Sequence, residues 1–207
     1  MVTGLASGAA GANGQWHAVV FALVFGACSL PSIFHVLTHP DLLRRRAHAG
    51  PLAEREPRQK LIISLVLLCL LTLILTLVLD ESHAWSHVPA IVALFGDLLA
   101  GAGLLLVWLV LRANPFAAST VTVETGQVVI STGPYVHVRH PMYSGGLLLL
   151  LGTPLALGSW WGLVLVLPLI ALIVWRLEGE EVYLSAQLPG YRDYCASVPY
   201  RLIPRVW

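Results

Sequence analysis

Residues 61–79 read LIISLVLLCLLTLILTLVL, nineteen positions without a charge, a glycine or a proline. A helix that crosses a bilayer needs roughly 20 mostly apolar residues, so this stretch predicts a membrane span. Residues 16–37 and 88–111 read the same way on either side of it. The first of these contains Pro31, which removes a backbone donor and predicts a kink. A fourth apolar stretch, 142–176, is too long for one helix and short for two. Leu157, Gly158 and Ser159 punctuate its middle, between Pro154 and Pro168. It predicts a tight helical hairpin. The expected fold is therefore an all-α integral membrane protein, a five-span bundle whose last two spans form that hairpin. Residues 1–15 are small, uncharged and glycine-rich, and are expected to be disordered. Residues 16–113 would hold three spans, and 114–207 two more with a polar C-terminal segment.

Composition agrees. The chain is 57% hydrophobic and 11% charged, against about 25% charged in soluble domains, and its mean hydropathy is +0.78. It cannot cover a water-facing surface, so membrane lipids must be partners. A net charge of +1 argues against nucleic acid. Cys28, Cys69 and Cys195 are odd in number and far apart, with neither a disulfide framework nor zinc spacing.

Charge then orients the bundle. All 12 Lys and Arg residues fall in 38–60, 112–141 and 176–207, which five spans place on one side. The other side holds Asp80 and Glu81 and no basic residue. Positive charge stays in the cytosol, so a multi-pass protein with its N-terminus outside and its C-terminus cytosolic is expected.

Two polar segments on that side carry the chemistry. In the first, 121–124 and 127–130 are β-prone runs around Thr125 and Gly126, a predicted hairpin. Gly133, Pro134 and Tyr135 follow as a turn signal, then Arg139, His140, Pro141, Met142 and Tyr143 just ahead of the fourth span. Proline suits the first turn of a helix, which puts His140 at a helix N-terminus. In the second segment Arg176 and Glu180 stand one helical turn apart, with Glu178 and Glu181 beside them. Because the hairpin is tight, its open end brings Tyr135, Arg139, His140, Tyr143, Arg176, Glu180 and Glu181 into one neighbourhood. Such a cluster suits a ligand with both cationic and anionic groups above apolar walls.

These residues, with Tyr191, Tyr194, Ile203 and Pro204 after them, resemble the isoprenylcysteine carboxyl methyltransferase family and its phospholipid methyltransferase relatives, over roughly residues 114–207. The resemblance implies a membrane-embedded, S-adenosylmethionine-dependent methyltransferase with a cytosolic C-terminal cofactor-binding region. Carried over, the cofactor site would use Gln127, Val128, Val129 and Ile130, largely through backbone groups. Tyr135, His140, Pro141, Met142, Tyr143 and Glu180 would complete it. Arg176 would face the acceptor, with Glu181 as its neighbour or as an amine contact. The family's histidine near the start of the first cofactor segment is Gln127 here, and the first three spans match only in being apolar.

The chemistry fits such a site. A carboxylate acceptor needs no base and suits the two-pronged guanidinium of Arg176, whereas an amine must first lose a proton, to Glu181 or His140. Arg176 favours the anionic acceptor, so O-methylation of an isoprenylcysteine-type carboxylate is expected first. N-methylation of a phospholipid amine or other lipophilic small molecule is the alternative, and a non-catalytic protein that keeps the fold is a further one. Other features read more simply. Asp97 inside the third span is either functional or a helix-packing polar group. His83 and His87 sit in an outer loop, and no metal site is expected. Gly101 and Gly103 allow close helix contact, within the bundle or in a dimer, so the oligomeric state stays open.

Overall fold

The computed structural model describes residues 6–54 and 56–207, with side chains from Trp16 onward. Among the described residues it is all helical. Helices α1 (Ala6–Thr38), α3 (Pro57–His83), α4 (Ala90–Ala113), α5 (Pro141–Ala156) and α6 (Trp160–Gln187) form the bundle, with α2 (Pro40–Ala47) and α7 (Tyr191–Ser197) short and peripheral. Four segments are long and apolar enough to cross a membrane: Trp16–Thr38, Pro57–His83, Ala90–Ala113 and Trp160–Gln187. Their outward faces are apolar, with Phe34, Leu71, Ile91 and Leu167 exposed, while Asp80, Asp97 and Arg176 are buried. That inversion is expected when lipid is the solvent. The chain is an integral membrane protein.

The expected hairpin is present. Helix α5 ends at Ala156, the chain turns through Gly158 (φ 75°), and α6 starts at Trp160. Ser159 caps α6 by accepting from the amide of Gly162 at 2.9 Å, and its hydroxyl donates to Asp80 at the end of α3. Asp80 also accepts from the amide and hydroxyl of Ser86. At the opposite end of the bundle His140 and Glu181 meet. Helix α5 therefore traverses the bundle from one end to the other in 16 residues, about 24 Å at 1.5 Å per residue, which is short for a bilayer core of about 30 Å.

Neighbouring helices run in the order α1, α4, α5, α6, α3. The α4–α5 seam is the closest. A Cβ on Gly103 would lie 2.5 Å from the Gly145 carbonyl, and one on Gly152 would lie 2.6 Å from the Ala100 amide. Gly103 thus serves packing within the bundle, and Gly101 faces Val24 and Cys28 of α1. Asp97, on the same helix, is buried with neither carboxylate oxygen hydrogen-bonded among the described residues, and it does not line the cavity described below.

Two expectations need correction. Helix α1 takes in residues 6–15, expected to be disordered; alanine at 6, 9, 10 and 12 favours helix, and residues 1–5 lie outside those described. The β-hairpin over 121–130 does not form, and neither run is a strand. Its turn survives, with Gly126 at φ 79° and the Gln127 amide bonded to the Glu124 carbonyl. An isolated two-stranded ribbon is marginal, and the first arm has partners elsewhere: Glu124 pairs with Arg45 at 2.8 Å, and the Val121 amide donates to Glu54.

Gly152→Ala is expected to lower the thermal unfolding midpoint in detergent, since overpacking a seam costs about 1–3 kcal/mol. Gly146→Ala, on the same helix with nothing within 4 Å of its added Cβ, should leave the midpoint unchanged or raise it. Equal behaviour of the two variants would contradict this packing.

Candidate active site

A cavity of about 350 Å³ opens at the arginine-rich end of the bundle. Arg176 lies on its floor. Only 7% exposed, it forms a salt bridge from Nη2 to Glu54 at 2.7 Å, and Nη1 donates to Gln59 at 3.1 Å. Nη2 also reaches the Ser119 carbonyl at 3.2 Å, and Nε donates to the Tyr143 hydroxyl at 3.0 Å. Tyr143 in turn donates to Glu180 at 2.7 Å. Gly179 makes room for Gln59, whose Nε2 lies 2.6 Å from where a Cβ would stand. Four of the five guanidinium N–H donors are therefore used by the protein's own groups. Glu54 and Gln59 engage its two terminal nitrogens, and the side chain still lines the cavity.

Glu181 is clamped in the same way. Its carboxylate lies 2.8 Å from Arg139 Nε, 3.2 Å from His140 Nε2 and 2.9 Å from Arg201 Nε. The Arg139 contact is close but off the hydrogen-bond line, so Arg139 Nε makes an ion pair without an aligned bond. The same region is stitched by the backbone. The amides of Arg139 and His140 donate to the carbonyls of Tyr200 and Arg201, and Ser144 donates to the Leu202 carbonyl at 2.6 Å. Glu181 thus holds the C-terminal segment against the start of α5 and does not line the cavity.

Most of the residues expected to hold a cofactor share one cavity. Gln127, Val128, Val129, Ile130, Tyr135, His140, Met142, Tyr143 and Glu180 line the cavity, while Pro141 is fully buried at the first position of α5. Gln127 spends its side-chain oxygen on the Glu124 amide at 2.9 Å, which closes the turn. The amides and carbonyls of Val128, Val129 and Ile130 make no backbone–backbone hydrogen bond among the described residues. Val129 and Tyr135 pack on Leu188, Tyr191 and Tyr194. The Tyr194 hydroxyl donates to the Tyr135 carbonyl at 2.7 Å, and the Tyr135 hydroxyl accepts from Asn114 at 2.8 Å. Burial pushes the Tyr135 phenol up to about 12, with the Asn114 bond opposing and Glu180 adding to the rise. Burial raises Tyr191 and Tyr194 as well. All three stay neutral at physiological pH. The Tyr191 hydroxyl is buried without a partner among the described residues, an orphan on the wall of a ligand-sized space.

The sequence reading missed Glu54, Gln59, Asn114 and Ser119. Glu54 and Gln59 stand 122 and 117 positions before Arg176, in a segment read only as a topogenic run. Helical spacing carries no signal over such separations.

The fold and this cavity define a helical membrane protein with a mixed polar and apolar ligand site at the arginine-rich end of its spans. Residues 91–189 match the phospholipid methyltransferase family. That match runs from α4 through α6, a little under half of the chain. The chain is also similar to the Delta(14)-sterol reductase TM7SF2 of Mus musculus, 34% identical over 104 residues, which are 46% of this chain. The match covers 25% of that protein's length.

Glu181→Ala is expected to destabilise the protein by about 3 kcal/mol, because removing one partner leaves buried cations unpaired. Hydrogen exchange should rise selectively over residues 139–144 and 198–207. Unchanged exchange there would show that the clamp does not hold the C-terminal segment.

Proposed function

We propose that the chain transfers a methyl group from S-adenosylmethionine to a lipophilic acceptor at the cytosolic membrane surface. The observation that carries this is the cavity wall: unpaired backbone at Val128, Val129 and Ile130 faces the same space as Glu180, the orphan Tyr191 hydroxyl and the aromatic surface of Tyr135. Those groups suit a cofactor with a heteroaromatic base, hydroxyls and an ammonium. Val128 to Ile130 would pair with its base through the main chain, and Glu180, positioned by Tyr143, would hold its ammonium. Bound there, S-adenosylmethionine supplies a methyl carbon on a sulfonium, the acceptor atom bonding to that carbon as the S–C bond breaks and its electron pair stays on sulfur.

The protein's part is then positioning and electrostatics. Arg176 is placed to fix Tyr143, and through it Glu180, rather than to grip the acceptor directly. His140, desolvated beside Glu181, closes the cavity floor at the head of α5. Apolar residues of α3 and of the segment after α4 wall the other end, where a lipid would seat. Five crossings, with α5 as the short one, would put the C-terminus and the cavity on the cytosolic side by the positive-inside rule. An isoprenylcysteine-type carboxylate remains the first acceptor class and a phospholipid amine the second. A second reading, reduction of a lipophilic substrate, is favoured by the similarity to a sterol reductase. It would need a hydride donor in the same cavity.

Calorimetry in nanodiscs tests the reading. The parent should bind S-adenosylmethionine, and Glu180→Ala should weaken it about 10-fold or more, the worth of a charge-assisted hydrogen bond. The His140→Ala, Glu180→Ala double variant should show no binding. Labelled methyl should pass into prenyl-cysteine or phospholipid pools. A folded parent that binds only a nicotinamide dinucleotide would establish the reductase reading instead.

A further inference from the structure

Arg46, a cation on the cavity wall, has no counter-ion among the described residues. Arg46, in the last turn of α2, lines the cavity. Its carbonyl accepts from the Ser119 hydroxyl at 3.3 Å, which anchors it beside the residue whose own carbonyl receives Arg176. The nearby acids are committed elsewhere: Glu54 to Arg176, Glu124 to Arg45, and Glu181 to Arg139 and Arg201. The Arg46 guanidinium makes no ion pair or hydrogen bond among the described residues, and residues 1–5 and 55 contain no acid. Burial alone pushes its pKa below the ordinary arginine range, with no carboxylate opposing. A partly buried guanidinium without a protein partner on a cavity wall is open to an anion placed in that cavity.

The charge pattern along the cavity gives direction. Among the described residues Glu180 lines the cavity as a carboxylate without an arginine or lysine ion pair, and it adjoins the tyrosine-lined end. Between it and Arg46 stand Tyr143, Arg176 and Ser119, linked in that order. A cation-seeking end and an anion-seeking end are thus separated by a neutralised floor.

We propose that Arg46 reads the anionic group of the acceptor, a carboxylate or phosphate on an apolar chain, at the end of the cavity walled by Ile63 and Phe116. The word acceptor rests on the methyl-transfer reading; the anion site does not. Arginine suits the task because its planar fork binds both anions bidentately. Arg46 lies outside the family-matched segment, so it would set specificity for this chain and not for the family.

The test uses dodecanoate, dodecyl phosphate and dodecanol as probes, titrated into the full-length protein in phosphatidylcholine nanodiscs. The parent should bind at least one of the two anions tenfold or more tighter than the alcohol. The tighter anion distinguishes a carboxylate acceptor from a phosphate-bearing one. Arg46→Gln should lose that preference and Arg46→Lys should keep part of it. Arg44→Gln, which removes an exposed charge from the same helix, should keep all of it. Affinity for S-adenosylmethionine should be unchanged in Arg46→Gln. The proposal is overturned if Arg46→Gln retains the preference, if the parent has none, or if the variant's cofactor affinity falls tenfold. A parent that binds no S-adenosylmethionine, yet loses its anion preference on Arg46→Gln, would retire the methyl-transfer reading and leave the anion site standing.

Discussion

The guanidinium of Arg176 must be satisfied where an apolar bundle meets its polar end, and much of the structure follows from how that is done. An ion buried without a partner costs several kcal/mol. Four separate segments converge to prevent it: the loop carrying Glu54, the start of α3 with Gln59, the stretch after α4 with Ser119, and α5 with Tyr143. Each segment would otherwise be free to drift across the end of the bundle. Held together by one side chain, they enclose a cavity instead. The glycine at 179 belongs to the same arrangement, since a side chain there would push Gln59 away from the floor.

Two adjacent acids on α6 then divide the work. Glu181 faces Arg139, His140 and Arg201 and ties the C-terminal segment to the head of α5. Glu180, one residue earlier and so turned about 100° around the helix, faces the cavity and receives only the Tyr143 hydroxyl. One carboxylate is spent on architecture and its neighbour lines the cavity.

Much of this was legible in the residues. Apolar runs of the right length located the long helices, and Leu157 to Ser159 located the hairpin turn. Pro141 marked a helix start with His140 ahead of it. The motif residues converge because the hairpin returns α6 to the head of α5, which spacing alone could foresee. Local signals failed where tertiary partners outweighed them: the run at 121–124 has strand propensity but bonds to Arg45 and Glu54, which leaves the run at 127–130 without a strand to pair with. Arg176 was read as facing a substrate because its partners, Glu54 and Gln59, lie more than a hundred residues away. Small residues at 6–15 read as loose chain, yet alanines there extend α1.

The account stands on the cavity being a cofactor site built from residues 127–143 and the Glu180 region. A photoreactive analogue of S-adenosylmethionine, crosslinked to the protein in nanodiscs and mapped by peptide mass spectrometry, tests that most directly. Adducts should fall within 127–143 or 180–194 and should be competed by S-adenosylmethionine, not by a nicotinamide dinucleotide. Adducts elsewhere in the chain, or competition by the nicotinamide dinucleotide alone, would contradict it.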